Sequence, residues 1–347
     1  MLRAIVCTIA LITGLAWPAA AAPGPTPLPR AVWGGVLSGL PWTSGANGSL
    51  DDFEAWRGLR LDVRTTFLGL NTWRHMVAST MGVEWTAAKG SQVVVAMGML
   101  PRTQRGQHAR CAAGRFDAWI RAVGKGLVDH QGGNAILRLG WEANRVGGFP
   151  WAVTGDGTDY KACFRRWVSI LRAVPGQSFT IDWNMGAKGT FPYHVDRMYP
   201  GDDVVDVIGV QQYDRCPPSR SEAEWLARAN SVNPRAESSP VGIYRWLDYA
   251  TSKGKRLSVP EWGIGGPRSV CRQPGIDNAV VIRKMYEFFR DHADQIAYEG
   301  YFNASGTPSD AGGTCKLAPS FYNPSSSDMY KTLWTQPIEP PPPPAAP

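Results

Sequence analysis

Short, nearly unbroken apolar runs recur along this chain, at residues 32–37, 61–67, 92–97, 135–140, 179–183, 205–210, 257–259 and 297–302. Runs of that length without polar alternation predict strands buried on both faces, as in a parallel sheet. The segments between them carry a helical period. Within 116–128, Phe116, Trp119, Ile120, Val123 and Leu127 fall on one stripe, and Phe164, Trp167, Val168 and Leu171 do so within 160–171. A third helix is predicted over 279–292, with Asp277 or Asn278 as its N-cap. Eight strands alternating with helices over about 300 residues predict an α/β chain folded as a single-domain (β/α)8 TIM barrel. A doubly wound open sheet is the competing arrangement, but no Gly-x-Gly-x-x-Gly loop follows the first strand.

Both ends of the chain read differently. In residues 1–22, Arg3 precedes an apolar run over 4–15, then Pro18 and the small residues 19–22, which is the pattern of a secretory signal removed on export. The run is too short to span a bilayer as a helix, so no membrane span is expected. Residues 336–347 are mostly proline and alanine and are expected to form an extended tail. The barrel domain therefore covers 23–335 of a secreted, extracellular or periplasmic protein, expected to be a monomer.

Composition narrows the chemistry. Of six cysteines, Cys7 leaves with the signal, and Cys111, Cys163, Cys216, Cys271 and Cys315 remain, an odd number. In an exported protein they are read as disulfide-forming. Cys111 and Cys163, at the starts of the helices after the third and fourth strands, could staple neighbouring loops; any two of the other three could pair. No C-x-x-C pair or paired histidine suggests a metal, and His75 and His108 stand without partner ligands, so neither metal nor cofactor is expected. The formal charge of +7 falls to +6 without Arg3, and its scattered lysines and arginines exclude a nucleic-acid motif while leaving acidic polymers open as partners. Fifteen tryptophans suit either a large core or sugar stacking.

Barrel enzymes carry their chemistry at the C-terminal ends of the strands. Trp141, Glu142 and Asn144 follow the fourth strand, and Glu261 follows the seventh. Two carboxyls at those ends can face each other across the barrel mouth. One can protonate a glycosidic oxygen while the other attacks the anomeric carbon, at a separation of roughly 5 Å for retention. For either glutamate alone, a salt bridge to an arginine such as Arg138 is the competing reading.

These segments resemble the clan of (β/α)8 retaining glycosidases whose acid/base follows strand four and whose nucleophile follows strand seven. Within it the chain is most similar to glycoside hydrolase family 26, whose best-known members are endo-β-mannanases. The segment Tyr199-Pro-Gly-Asp-Asp-Val-Val-Asp-Val-Ile-Gly-Val-Gln-Gln-Tyr-Asp214 carries the resemblance, together with Arg138, Glu142 and Asn144 around strand four, Trp183 and Asn184 on strand five, and Glu261-Trp262-Gly263. The resemblance implies Glu142 as acid/base, Glu261 as nucleophile, and Tyr213 as hydrogen-bond donor to Glu261, keeping that carboxylate ionised while Glu142 stays protonated. It implies Trp141, Trp183 and Trp262 as sugar platforms, with Arg138, Asn144 and Asn184 donating to hydroxyls or carboxylates.

The sequence departs from the pattern where substrate is chosen. Trp141 stands where the family usually has histidine and the wider clan asparagine, and the eighth strand ends in Tyr301-Phe302-Asn303 where the clan often presents tryptophan. The expected substrate is a β-linked polysaccharide: a mannan-like polymer, a bacterial exopolysaccharide or a cell-envelope glycan. A catalytically silent, glycan-binding barrel is the alternative function. Trp42, Tyr193 and His194 are read as packing or loop residues, Asp206 as structural, and Asp214 as close enough to the mouth to reach substrate or to stay structural.

Overall fold

The computed structural model describes residues 37–41, 50–87, 90–214, 218–264, 277–303, 316–318, 320, 323–335 and 338. The expected signal segment, the proline-rich tail apart from Ile338, and Trp42, Cys216, Cys271 and Cys315 lie outside the described residues. Eight parallel strands close a barrel: β1 (Leu37–Pro41), β2 (Val63–Phe67), β3 (Gln92–Met97), β4 (Ile136–Leu139), β5 (Thr180–Gly186), β6 (Val207–Asp214), β7 (Arg256–Ile264) and β8 (Ile296–Tyr301). Each pairs with its neighbours in sequence, and β8 returns to β1 through Leu37 opposite Tyr298. The expected first strand, 32–37, has only Leu37 among the described residues, and β1 runs on from there.

β5, β6 and β7 extend three to five residues beyond the apolar runs that announced them. Those runs stop where inward polar residues begin: Asn184, Gln211, Tyr213 and Glu261 belong to the hydrogen-bonded ladder while breaking the hydrophobic pattern. The functional end of the barrel is thus built from strand residues.

The core has two compartments. Val63, Val94, Ile136, Val207, Ala297 and Tyr298 form a small cluster of their own, and a much larger apolar layer lies between sheet and helices. The outer helices include α1 (Leu50–Arg57), α2 (Trp73–Ala78), α3 (Asp117–Asp129), α4 (Thr158–Arg172), α5 (Glu222–Ala229), α6 (Ile243–Ser252), α7 (Ala279–Asp291) and α8 (Pro324–Leu333). Strict alternation fails once. Between β5 and β6 only the 3-10 turn Val195–Arg197 forms, and two helices, α5 and α6, follow β6 instead. Tyr199 from that connection and Tyr249 from α6 cover Trp183 of β5, at ring separations of 5.1 and 6.4 Å, so aromatic packing replaces the absent helix.

The stripe predicted for α3 is buried at Ile120, Val123 and Leu127, with Phe116 just before it, whereas Trp119 is 37% exposed and stacks on Trp73 at 6.5 Å. Asn278 occupies the N-cap position of α7, but without a side-chain cap bond. Asp277 instead accepts from the backbone of Ser325 and Ser326, satisfying the first turn of α8. Cys111, in the short helix His108–Ala112, is disulfide-bonded to Cys163 of α4, as the loop positions suggested.

Candidate active site

Side chains alternate across a strand, so which residues enter the barrel is a question of parity. Asp182 of β5 accepts from Ser258 Oγ of β7 at 2.7 Å and from Tyr298 Oη of β8. Those strands are not neighbours of β5, so the contacts cross the interior. Asp182 and Asn184 therefore point inward and Trp183 points out.

On β7 the same parity would send Glu261 outward, since Ser258 points in. A register shift prevents this: Gly209 pairs with Ser258, but Gln211 pairs with Glu261, so two steps on β6 match three on β7. The extra residue falls at Val259-Pro260, where proline has no N–H to give the ladder. Such a bulge re-aims the next side chain. Glu261 turns into the barrel, and Arg138 Nη2 of β4 donates to its Oε1 at 2.8 Å. Tyr213 Oη donates to Oε2 at 3.1 Å. Burial opposes the Arg138 charge, but Glu261 beside it, helped by Tyr298 and Asp182, raises its pKa above the ordinary value. Arg138 Nη2 also donates to Asn184 Oδ1 at 3.0 Å.

Glu142 is held by backbone. Gly140 turns the chain out of β4 at φ +63°, and Glu142 itself lies in the left-handed region at φ +52°. A non-glycine residue there is strained unless its surroundings fix it, and such residues concentrate at functional sites. The fixings are visible: Glu142 N donates to Asn184 O at 2.9 Å, and Val153 N donates to Ala143 O at 2.8 Å. Asn144 clasps the end of β5 with both atoms of its amide, Nδ2 donating to Gly186 O at 2.7 Å and Oδ1 accepting from Gly186 N at 2.9 Å. Both glutamates are buried yet reach the surface, at 5% and 7% exposure.

Several expected site residues take other roles. Trp183 and Trp262 are fully buried in the helix layer, because alternation sends the neighbours of inward residues outward. Trp262 packs on Phe289, Tyr301 and Trp334, and its Nε1 donates to Glu299, so neither tryptophan is a sugar platform. Asn144 uses both atoms of its amide on Gly186, and Asn184 accepts from Arg138 through Oδ1 and from Glu142 N through its carbonyl, so both position the two acids. Trp141 does stand at the mouth, but 5% exposed, packed between Phe67 of β2 and the rings of Phe149 and Trp151. Asp206 pairs with Arg172 and caps Ile181 N, a structural role. Asp214 is buried and bonded to Ser219 and Asn278, so it ties the loop after β6 to α7. Burial pushes its carboxyl above the usual range despite the Ser219 donors. His108 is buried against the Trp151 carbonyl, and no cluster of metal-ligating side chains occurs among the described residues.

The structure adds residues that the sequence did not single out. Phe67, Phe149 and Phe302 are half-buried rings at the mouth, Phe67 lying under the Arg138 guanidinium at 5.9 Å and Phe302 edge-on to Tyr213 at 6.0 Å. Arg145 Nη1 donates to Glu142 Oε2 at 2.8 Å. Its spacing three residues from Glu142 was the available signal. Asp182 lies among Arg138, Ser258 and Tyr298 inside the barrel, and burial pushes its carboxyl up to about 6, with the Tyr298 and Ser258 donors and the Arg138 charge working the other way.

No protein-family model matches the sequence, and no curated protein does. Solved structures do match. The chain is similar to a modular endo-β-1,4-mannanase of glycoside hydrolase family 26 from Cellulomonas fimi, at 20% identity and TM-score 0.62, over 88% of this chain and 71% of that one. A family 26 endo-β-1,4-mannanase catalytic domain from Bacillus sp. JAMB-750 matches at 18% identity and TM-score 0.59, over 88% and 90% of the two chains. Fungal β-1,4-galactanases match at 12% identity and TM-score 0.57, over 85% and 99%. At these identities what is shared is the barrel fold.

Proposed function

We propose that this chain is an exported retaining glycoside hydrolase, related to family 26, that cuts a β-linked polysaccharide with Glu261 as nucleophile and Glu142 as acid/base. The observation that carries the reading is that the glutamates at the mouth ends of β4 and β7 are tied through Asn184: its carbonyl accepts from Glu142 N, and its side-chain oxygen accepts from the Arg138 that, with Tyr213, holds Glu261. Mannanase and galactanase activities of the similar structures support the substrate class.

In the first step Glu142 gives its proton to the departing glycosidic oxygen while Glu261 attacks the anomeric carbon, and the C–O bond breaks as the glycosyl ester forms. In the second, Glu142 takes a proton from water, the water attacks the anomeric carbon, and Glu261 is released as carboxylate. Arg138 and Tyr213 donate to the two oxygens of Glu261 and hold the carboxyl in place for attack. Phe67, Phe149 and Phe302 offer the accessible rings for stacking on sugar faces.

Release of reducing ends from a panel of β-glycans by the parent chain, Glu142→Gln and Glu261→Gln tests the reading. Both variants should lose at least about a thousandfold in rate on whatever glycan the parent cuts. Binding by all three proteins with no cleavage by the parent would support the silent, glycan-binding alternative. Mass analysis of the exported protein should find residues 1–22 removed.

A further inference from the structure

Arg145 and Glu142 stand in a relation that the proposed reaction has to undo. Arg145 Nη1 lies 2.8 Å from Glu142 Oε2; the Glu142 side chain is 7% exposed and that of Arg145 37%. An arginine at that distance favours the charged carboxylate, the form with no proton to give. Proton donation by Glu142 is favoured when Arg145 turns to another anion. Arg145 is exposed enough to do so, whereas Glu142 is fixed by its backbone.

The surroundings indicate where that anion comes from. The loops leaving β3, β4 and β5, residues 98–107, 140–157 and 187–194, carry Arg102, Arg105, Arg145 and Lys188. Besides Glu142 their one acid is Asp156, which is engaged with the backbone of Thr158 at the start of α4. Arg102, Arg105 and Lys188 are exposed, and Arg105 is anchored on the carbonyls of Gly147 and Phe149, in the loop that carries Glu142. Cations of one sign around a cleft raise the local concentration of an anionic polymer.

Resting on the glycosidase reading above, we propose that the substrate is a carboxylated β-glycan whose carboxylate, on the leaving-group sugar, takes Arg145 away from Glu142. Substrate binding then removes a cation from Glu142 and sets an anion nearby, and both changes favour proton uptake. The proton balance closes. Glu142 takes one proton from solvent on binding, gives it to the leaving oxygen as the C–O bond breaks, and recovers one from the attacking water. Arg145 selects the substrate and arms the acid in one movement.

The test uses carboxylated β-glycans, β-1,4-mannuronan among them, each beside its carboxyl-reduced form, for mannuronan a β-1,4-mannan. The acidic member of at least one pair should be cut roughly 10- to 100-fold faster than its reduced partner, and Arg145→Gln, folded by thermal melting, should cut that ratio by a similar factor. In Glu261→Gln, titration calorimetry in two buffers of different ionisation enthalpy should show uptake of roughly one proton per chain on binding the acidic oligosaccharide, absent when Glu142 is also Gln. Equal or faster cleavage of the reduced forms, a ratio unmoved in Arg145→Gln, or acidic ligands that bind no better than reduced ones or without proton uptake would overturn it. If neutral glycans are cut as fast as or faster than their acidic partners, and only with both glutamates intact, the glycosidase reading stands and this inference falls. Cleavage that survives Glu142→Gln and Glu261→Gln would instead sink the glycosidase reading.

Discussion

Tyr213 meets Glu261 through a direct bond, and Asp182 lies in the barrel interior beside the Arg138 that also holds Glu261. Tyr213→Phe removes a single hydrogen bond to the Glu261 carboxylate. Since that bond orients a reacting group, kcat should fall about 10- to 100-fold while KM changes much less, read from steady-state kinetics on the cleaved glycan. Asp182 acts through the interior network, its Oδ2 taking the Ser258 and Tyr298 donors. Burial raises its carboxyl from 3.8 to about 6. A folded-state value above the unfolded one means that the folded chain binds the extra proton between those values. The contribution to stability is therefore full below about pH 4 and is lost as pH rises through about 6, a change of order 3 kcal/mol. Asp182→Asn should flatten the pH dependence of the urea midpoint over that window. An identical slope in the two proteins would show that Asp182 does not titrate there. Gly209 shows why the network is compact: a Cβ there would sit 2.5 Å from Asp182 Oδ1 and 2.6 Å from Ser258 Oγ.

At the scale of elements, the bulge in β7 and the clasp of Asn144 on β5 set the geometry. The polar ends of β5, β6 and β7 were legible only as places where apolar runs stopped, because hydrophobicity reports burial against apolar neighbours and these residues are buried against one another. Helix α3 was legible in period but misread at Trp119, which is partly exposed and stacks from outside on the buried Trp73. The disulfide joins the short helix His108–Ala112 to α4 across 52 residues of chain. Closing a loop of that size restricts the unfolded ensemble by about 4 kcal/mol in the chain-entropy account. The paired variant Cys111→Ala/Cys163→Ala should melt several degrees lower by calorimetry, and reducing agent should bring the parent toward it.

Across the whole molecule, the last helix belongs to the barrel. Tyr330 and Trp334 of the α8 region stack on each other at 4.2 Å, Trp334 stacks on Trp262 at 5.5 Å, and Tyr330 lies against Phe53 and Trp56 of α1. Glu299, fully buried, accepts from the indoles of both Trp262 and Trp334. A chain ending before Pro324 would leave that carboxylate and its aromatic cover open, and should lose the cooperative unfolding transition followed by near-ultraviolet circular dichroism. Sequence by itself determined the eight-strand beat, the helices between most strands and the two glutamates at strand ends. Those follow from local periodicity and from the rule that barrels work at one end. Which tryptophans are buried in the helix layer and which stands at the mouth, which asparagines serve the protein's own backbone, and that Arg145 holds Glu142 were decided only by tertiary structure. They depend on strand parity, on one shift of register and on contacts between strands that are not neighbours, and no local pattern records these.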